Sequence, residues 1–260
     1  MGDEGFRFDY RLLESEIKQI VKEKLQDEDA AMFDIRQDSQ RCPTFVVAGS
    51  AIAVDGSPQL LRSYHGGDVN GTRCYIWEAA RATTALPLFF KPISIQLEHQ
   101  SKLLVSGGLT HRNPGELALD EAYGLWPTIK SFHLISIGIG EQKPVPVINE
   151  DPTRRRASLG GWIPGVEIVR NRLYGLSAVR QIRKVHARRS DNSDDVHGRM
   201  IRWRLLLDNR YDRFNVEDRL EGISVVQWRA MEEIVGHTLW YLEQGKVEKT
   251  IKLCAGDIIG

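Results

Sequence analysis

Net charge is missing from this sequence: Lys plus Arg and Asp plus Glu stand at 35 each over 260 residues. A balanced chain has no field to steer it onto a polyanion, so nucleic acid is not an expected partner. Cysteine is scarce. Cys42, Cys74 and Cys254 are odd in number and far apart, which argues against a disulfide framework and favours a cytoplasmic setting. No stretch approaches the about 20 apolar residues that a membrane span needs. No basic start followed by an apolar run opens the chain, so no secretory leader is expected. The histidines form no H-x-x-x-H pair and have no cysteine at short spacing, so no metal site is expected. There is no phosphate-binding loop either. Gly138-Ile139-Gly140 follows an apolar run but lacks the third glycine of a dinucleotide fingerprint, and no cofactor is expected.

What is present fits a globular protein, with 42% hydrophobic and 27% charged residues, and a chain long enough for a sizeable core. The most informative stretch runs from Tyr75 to Pro114. Trp77 to Thr83 is built of helix formers, and Pro87 is expected to stop that helix. Ile93, Ile95 and Leu97 alternate as in a half-buried strand. Leu103-Leu104-Val105 then runs into Ser106-Gly107-Gly108, and Asn113-Pro114 opens another helix. Paired glycines between a buried strand and a proline-led helix let backbone come close to a ligand.

The pieces IWEAARATTALPLFFKP and GGLTHRNP, with CPTFVVAG at 42–49, LLRSY at 60–64 and SIGIG at 136–140, resemble the patatin-like acyl hydrolases of fungal type. The similarity extends into YDRFNVEDRLEGI and HTLWYLEQGKVEKTI. It implies an α/β fold of three layers, α/β/α, around a mostly parallel sheet, with the N-terminal part of the domain missing. It divides the chain into a partial catalytic-type domain at 1–145, a basic connection and helix at 146–200, and closing strands and helices at 201–260. Family members use a Ser-Asp dyad, and the aspartate stands before the paired glycines. Here that position is Ser106, with Gly107 and Gly108 as the backbone that would face a ligand. The implied activity is lipid acyl-ester hydrolysis, and the implied partner is a lipid or membrane surface, met peripherally from the cytoplasm.

Elsewhere the pattern is simpler. Leu12, Leu13, Ile17, Ile20, Val21 and Leu25 repeat at helical spacing and predict a core-packing helix over 10–25. Segments 44–48, 103–105 and 132–137 read as strands of one parallel sheet. Asp55-Gly56 is a turn. Leu117, Ala118 and Ala122 form the inner face of a helix over 116–126. Arg154-Arg155-Arg156-Ala157-Ser158 has the form of a basophilic kinase site. The helix expected over 166–189 ends in Arg180, Arg183, Lys184, Arg188 and Arg189, read as a solvated face, with anionic lipid headgroups as the sharper alternative. Met200 to Leu207 alternates and reads as a strand, 211–216 as its continuation, and 225–244 and 247–255 as helices.

Dyad chemistry needs a nucleophile, a base and backbone donors for the oxyanion. The sequence contains no G-x-S-x-G, and Ser50, Ser57 and Ser177 lack the flanking glycines. A serine hydroxyl at 106 is no base near neutral pH. It can hold a turn by hydrogen bonding, or serve as a nucleophile if His111 reaches it. Three readings remain open: an inactive relative of the hydrolases, the C-terminal part of an enzyme whose nucleophile lies upstream or in another chain, and a non-catalytic lipid-surface or protein-interaction module.

Overall fold

The computed structural model describes residues 6–33, 42–52, 57–65, 74–87, 89–97, 100–140, 192–207, 210–216, 220, 223 and 227–259. The chain divides into two compact units, one comprising 1–128 and 166–196, the other 129–165 and 197–260. The Asp55-Gly56 turn, the arginine run at 154–156 and the basic helix over 166–189 lie outside the described residues.

In the first unit, helix α1 covers Tyr10–Leu25. Asp9 starts it by accepting from Arg11 N at 3.0 Å, and the Arg11 guanidinium returns to the same carboxylate. These bonds hold the Asp9 carboxyl down at about 2. Gln26 ends the helix in the left-handed region, φ 62°, and donates to Lys22 O. The bounds agree with the sequence reading, but the buried face does not. Only Val21 is buried, while Leu12 and Ile20 on the neighbouring stripe are exposed.

Four strands follow: β1 Phe45–Ser50, β2 Gln59–Arg62, β3 Ile93–Leu97 and β4 Gln100–Ser106. They lie in the order β2-β1-β4-β3, and every pairing is antiparallel. This overturns the three-layer fold with a mostly parallel sheet. The physical reason is connection length. Parallel neighbours need a crossover of about a dozen residues or more, yet only two residues separate β3 from β4 and eight separate β1 from β2. Apolar strands such as Ala48, Leu104 and Val105 are buried, and that burial imitates the composition of a parallel sheet.

Helix α2, Ile76–Thr83, covers the sheet. Glu78 Oε2 accepts from Tyr75 N at 2.8 Å to open it. It closes at Thr83, ahead of Pro87, where Thr84 Oγ1 donates to Ala80 O. Ala79, Ala82 and Ala85 are almost fully buried, and their small side chains let the helix sit close enough for Thr83 Oγ1 to donate to Val47 O at 2.9 Å. The core joins Met32, Ala48, Leu61, Cys74, Ala79, Ala82, Ile95, Leu97 and Leu104. Burial pushes the Cys74 thiol up to about 12, helped by the charge of Glu78, so it stays protonated and inert. Arg81 points into the same interior and is 1% exposed.

Helix α3, Gly115–Leu125, buries Leu119 rather than the expected Leu117, Ala118 and Ala122, which are only half-buried. Its Glu121 takes a bidentate bond from Arg62 on β2, at 2.5 and 2.7 Å, and a third from Tyr64 Oη at 2.7 Å. The Arg62 guanidinium holds the Glu121 carboxyl below its ordinary value, against the opposing effect of burial. Burial, then Glu121, pushes the Tyr64 hydroxyl up. A carboxyl with a lowered folded pKa contributes stability that is present above its unfolded pKa and lost as pH falls through the folded value. Glu121→Gln is therefore expected to lose about 2–3 kcal/mol in urea unfolding at neutral pH. The gap to the parent should narrow as the pH drops well below 4.5, the group's ordinary value. A gap that stays constant with pH would remove this account of the network.

In the second unit, β5 His133–Ile137 and β6 Arg210–Phe214 pair in parallel, from His133↔Arg210 to Ile137↔Phe214. Segment 132–137 therefore does not join β1 and β4. Helix α4, Asn192–Leu207, runs across the 196/197 division, while the 3-10 turn Trp228–Ala230 and helices α5 Met231–Leu242 and α6 Gly245–Ile259 belong to the second unit. Residues 200–207 are helical, not a strand. Val196 and Met200 are buried four apart, and Asp194 and Asp195 sit in the first turn, where acids favour the helix dipole. Period-2 alternation over a short window cannot distinguish these cases. Gly138 N donates to Phe214 O, and Gly140, at φ 97°, donates to Asn215 Oδ1 at 2.8 Å. Asn215 N in turn donates to Tyr241 Oη on α5.

Candidate functional site

Ser106 is the last residue of β4, and Gly107–Leu109 form a single 3-10 turn after it. Its backbone N–H donates to Ala85 O at 3.0 Å, and its Oγ accepts from Gly108 N at 3.2 Å. The residue is 8% exposed. Among the described residues, Gly108 N–H is the hydrogen-bond partner of its hydroxyl, and no second serine stands against it. Ser106 thus caps the turn in the manner of a helix N-cap.

Gly107 is buried directly over β1: a Cβ there would run into the carbonyl of Val47. Its own carbonyl accepts from Thr110 N and His111 N at 3.0 and 2.8 Å. His111 Nδ1 lies 2.7 Å from Thr110 Oγ1, and the structure does not bring the ring onto the Ser106 hydroxyl. Asn113, 3% exposed, accepts from Gly115 N at 3.1 Å and so opens α3. Gly108 is exposed, so of the two glycines only Gly108 is presented to solvent. This corner is a set of capping bonds with a small exposed loop.

A second constellation lies in the other unit, and sequence spacing missed it. His133 on β5, Asp212 on β6 and Cys254 on α6 converge. His133 Nε2 lies 2.9 Å from Asp212 Oδ2. Cys254 Sγ lies 3.5 Å from the same oxygen and 3.8 Å from the same nitrogen. Asp212 and His133 face each other across a parallel pair whose register places His133 beside Arg210, two residues from Asp212. Arg210 Nη2 approaches Asp212 Oδ2 at 3.8 Å. Burial pushes the Cys254 thiol up, the Asp212 charge and hydrogen bond add to this, and Arg210 opposes it.

No protein-family model and no curated protein matches the chain. Among the described residues, no helix is long and apolar enough to cross a membrane.

Proposed function

We propose that this chain is a non-catalytic relative of the patatin-like lipid acyl hydrolases. The motif resemblance around 76–92 and 107–114 supports the kinship. The observation that carries the loss of catalysis is the use of the Ser106 hydroxyl. A dyad base must leave a carboxylate oxygen for the nucleophile's proton. At Ser106 the only side-chain oxygen is a hydroxyl, which accepts from Gly108 N–H, and a hydroxyl takes up no proton near neutral pH. The sequence also offers no nucleophile elbow, so the oxyanion donors that follow such a serine are missing with it.

The purified chain is expected to show no turnover of nitrophenyl or lipid acyl esters above background. Ser106→Asp is expected to fold, since aspartate accepts at an N-cap as well as serine. It should remain inactive, because a restored base has nothing to deprotonate, and the members of a catalytic unit act together rather than additively. The assay compares both proteins with an active serine hydrolase. Turnover by the unaltered chain that a serine-directed fluorophosphonate abolishes would overturn the proposal.

A further inference from the structure

We propose that His133, Asp212 and Cys254 form a zinc site that fastens α6 to the β5–β6 pair. The three ligand atoms surround one point. Separations of 2.9, 3.5 and 3.8 Å put the position equidistant from all three about 2.0 Å from each, close to zinc–nitrogen and zinc–oxygen bond lengths. The longer zinc–sulfur bond of about 2.3 Å moves the ion away from Cys254 and out of the plane. That displacement leaves one face for a fourth ligand. His133 and Asp212 side chains are 19% and 18% exposed, so water reaches these two side chains.

The arrangement differs from a nucleophilic triad. A cysteine–histidine–aspartate relay needs the thiol on one ring nitrogen and the carboxylate on the other. Here both approach Nε2, and Cys254 is 5% exposed, closed to a substrate. Convergence of a soft sulfur, an imidazole and a carboxylate on one point is a zinc donor set. Charge balances as well. A thiolate and a carboxylate neutralise a divalent ion, and Arg210 Nη2 stands 3.8 Å from Asp212 Oδ2. Binding releases the Cys254 proton, so affinity rises with pH.

The probe is cobalt, then zinc, added to the full chain. Cobalt is expected to give a thiolate-to-metal charge-transfer band in the near ultraviolet that saturates at one ion per chain, and zinc should displace it. Zinc should also raise the thermal unfolding midpoint, since it binds the folded state. Cys254→Ser should abolish the band. His133→Ala and Asp212→Ala should each weaken binding by at least about tenfold. Cys42→Ser should keep it unchanged. Far-ultraviolet circular dichroism identifies any variant that fails to fold, and the unaltered chain then decides alone. Absence of the band in the unaltered chain overturns the proposal, as does a band that survives Cys254→Ser.

Discussion

Gly107→Ala is expected to destabilise the first unit by about 3 kcal/mol, the upper range for overpacking a rigid interior. The added methyl meets the Val47 carbonyl and the Val47 side chain at impossible range. Relief cannot come from a side-chain rotation, because the obstacle is backbone. Nor can the strand retreat. β1 is held between β2 and β4, with Val47 opposite Leu60 and Ala48 opposite Ser106. Moving the Val47 carbonyl would also break its bond from Thr83 Oγ1. The neighbouring position supplies a control. A Cβ on Gly108 would meet only the Ser106 hydroxyl oxygen at 3.4 Å, so Gly108→Ala should cost less than about 1 kcal/mol. Urea unfolding of the two variants tests the contrast. Equal midpoints would show that the turn relaxes freely and that the close approach imposes no constraint.

Arg81→Ala is expected to cost a further large amount, about 3–4 kcal/mol, by the cavity left in the interior. Among the described residues, Arg81 is the largest of the fully buried side chains. Its guanidinium lies 5.3 Å from the Tyr10 ring and 5.7 Å from the Phe90 ring, and Nη2 donates to Lys91 O at 2.6 Å. Among the described residues, Nε and Nη1 have no hydrogen-bond partner. Burial draws the guanidinium pKa down, and the charges of Glu14 and Tyr10 oppose it. Alanine removes the cation–π contacts and the hydrogen bond to the Lys91 carbonyl, and opens a void. Methionine keeps much of the stem volume and relieves two unpaired donors, so Arg81→Met should fall well short of the alanine loss. Thermal unfolding ranks the two. An alanine variant as stable as the methionine one would mean that volume and aromatic contact matter little here.

The sequence made the local elements readable where a single force dominated. The strand over 93–97 showed its alternation, and Ile95 and Leu97 are buried as that pattern requires. The 10–25 helix had its bounds written in its apolar repeat, while the Asp9 cap that starts it needed coordinates. Its inward face was not legible, because Leu12 and Ile20 are as apolar as the residues that turn in, and only tertiary packing chooses between the stripes. Strand direction was legible in principle from the two-residue gap between Leu97 and Gln100, but burial composition pointed the other way. At Ser106, an apolar run meeting two glycines marked the strand end, while the capping bond from Gly108 needed coordinates. His133, Asp212 and Cys254 carried no local mark. They stand 79, 42 and 121 residues apart pairwise, so only the folded chain brings them together.

The parallel pairing of β5 with β6 has a consequence for the order in which the protein is made. All of residues 138–209 lies between the two strands. Closing such a loop costs more entropy than the turn joining β3 to β4, by about 0.6 kcal/mol for each doubling in length. The β3–β4 hairpin can form in microseconds once both strands are free. At about 5–20 residues per second, a ribosome needs several seconds to deliver β6 after β5 has been synthesised. During that interval the edge of β5 that β6 will occupy has no native strand beside it, so the nascent chain carries an open pairing site until Arg210–Phe214 is translated.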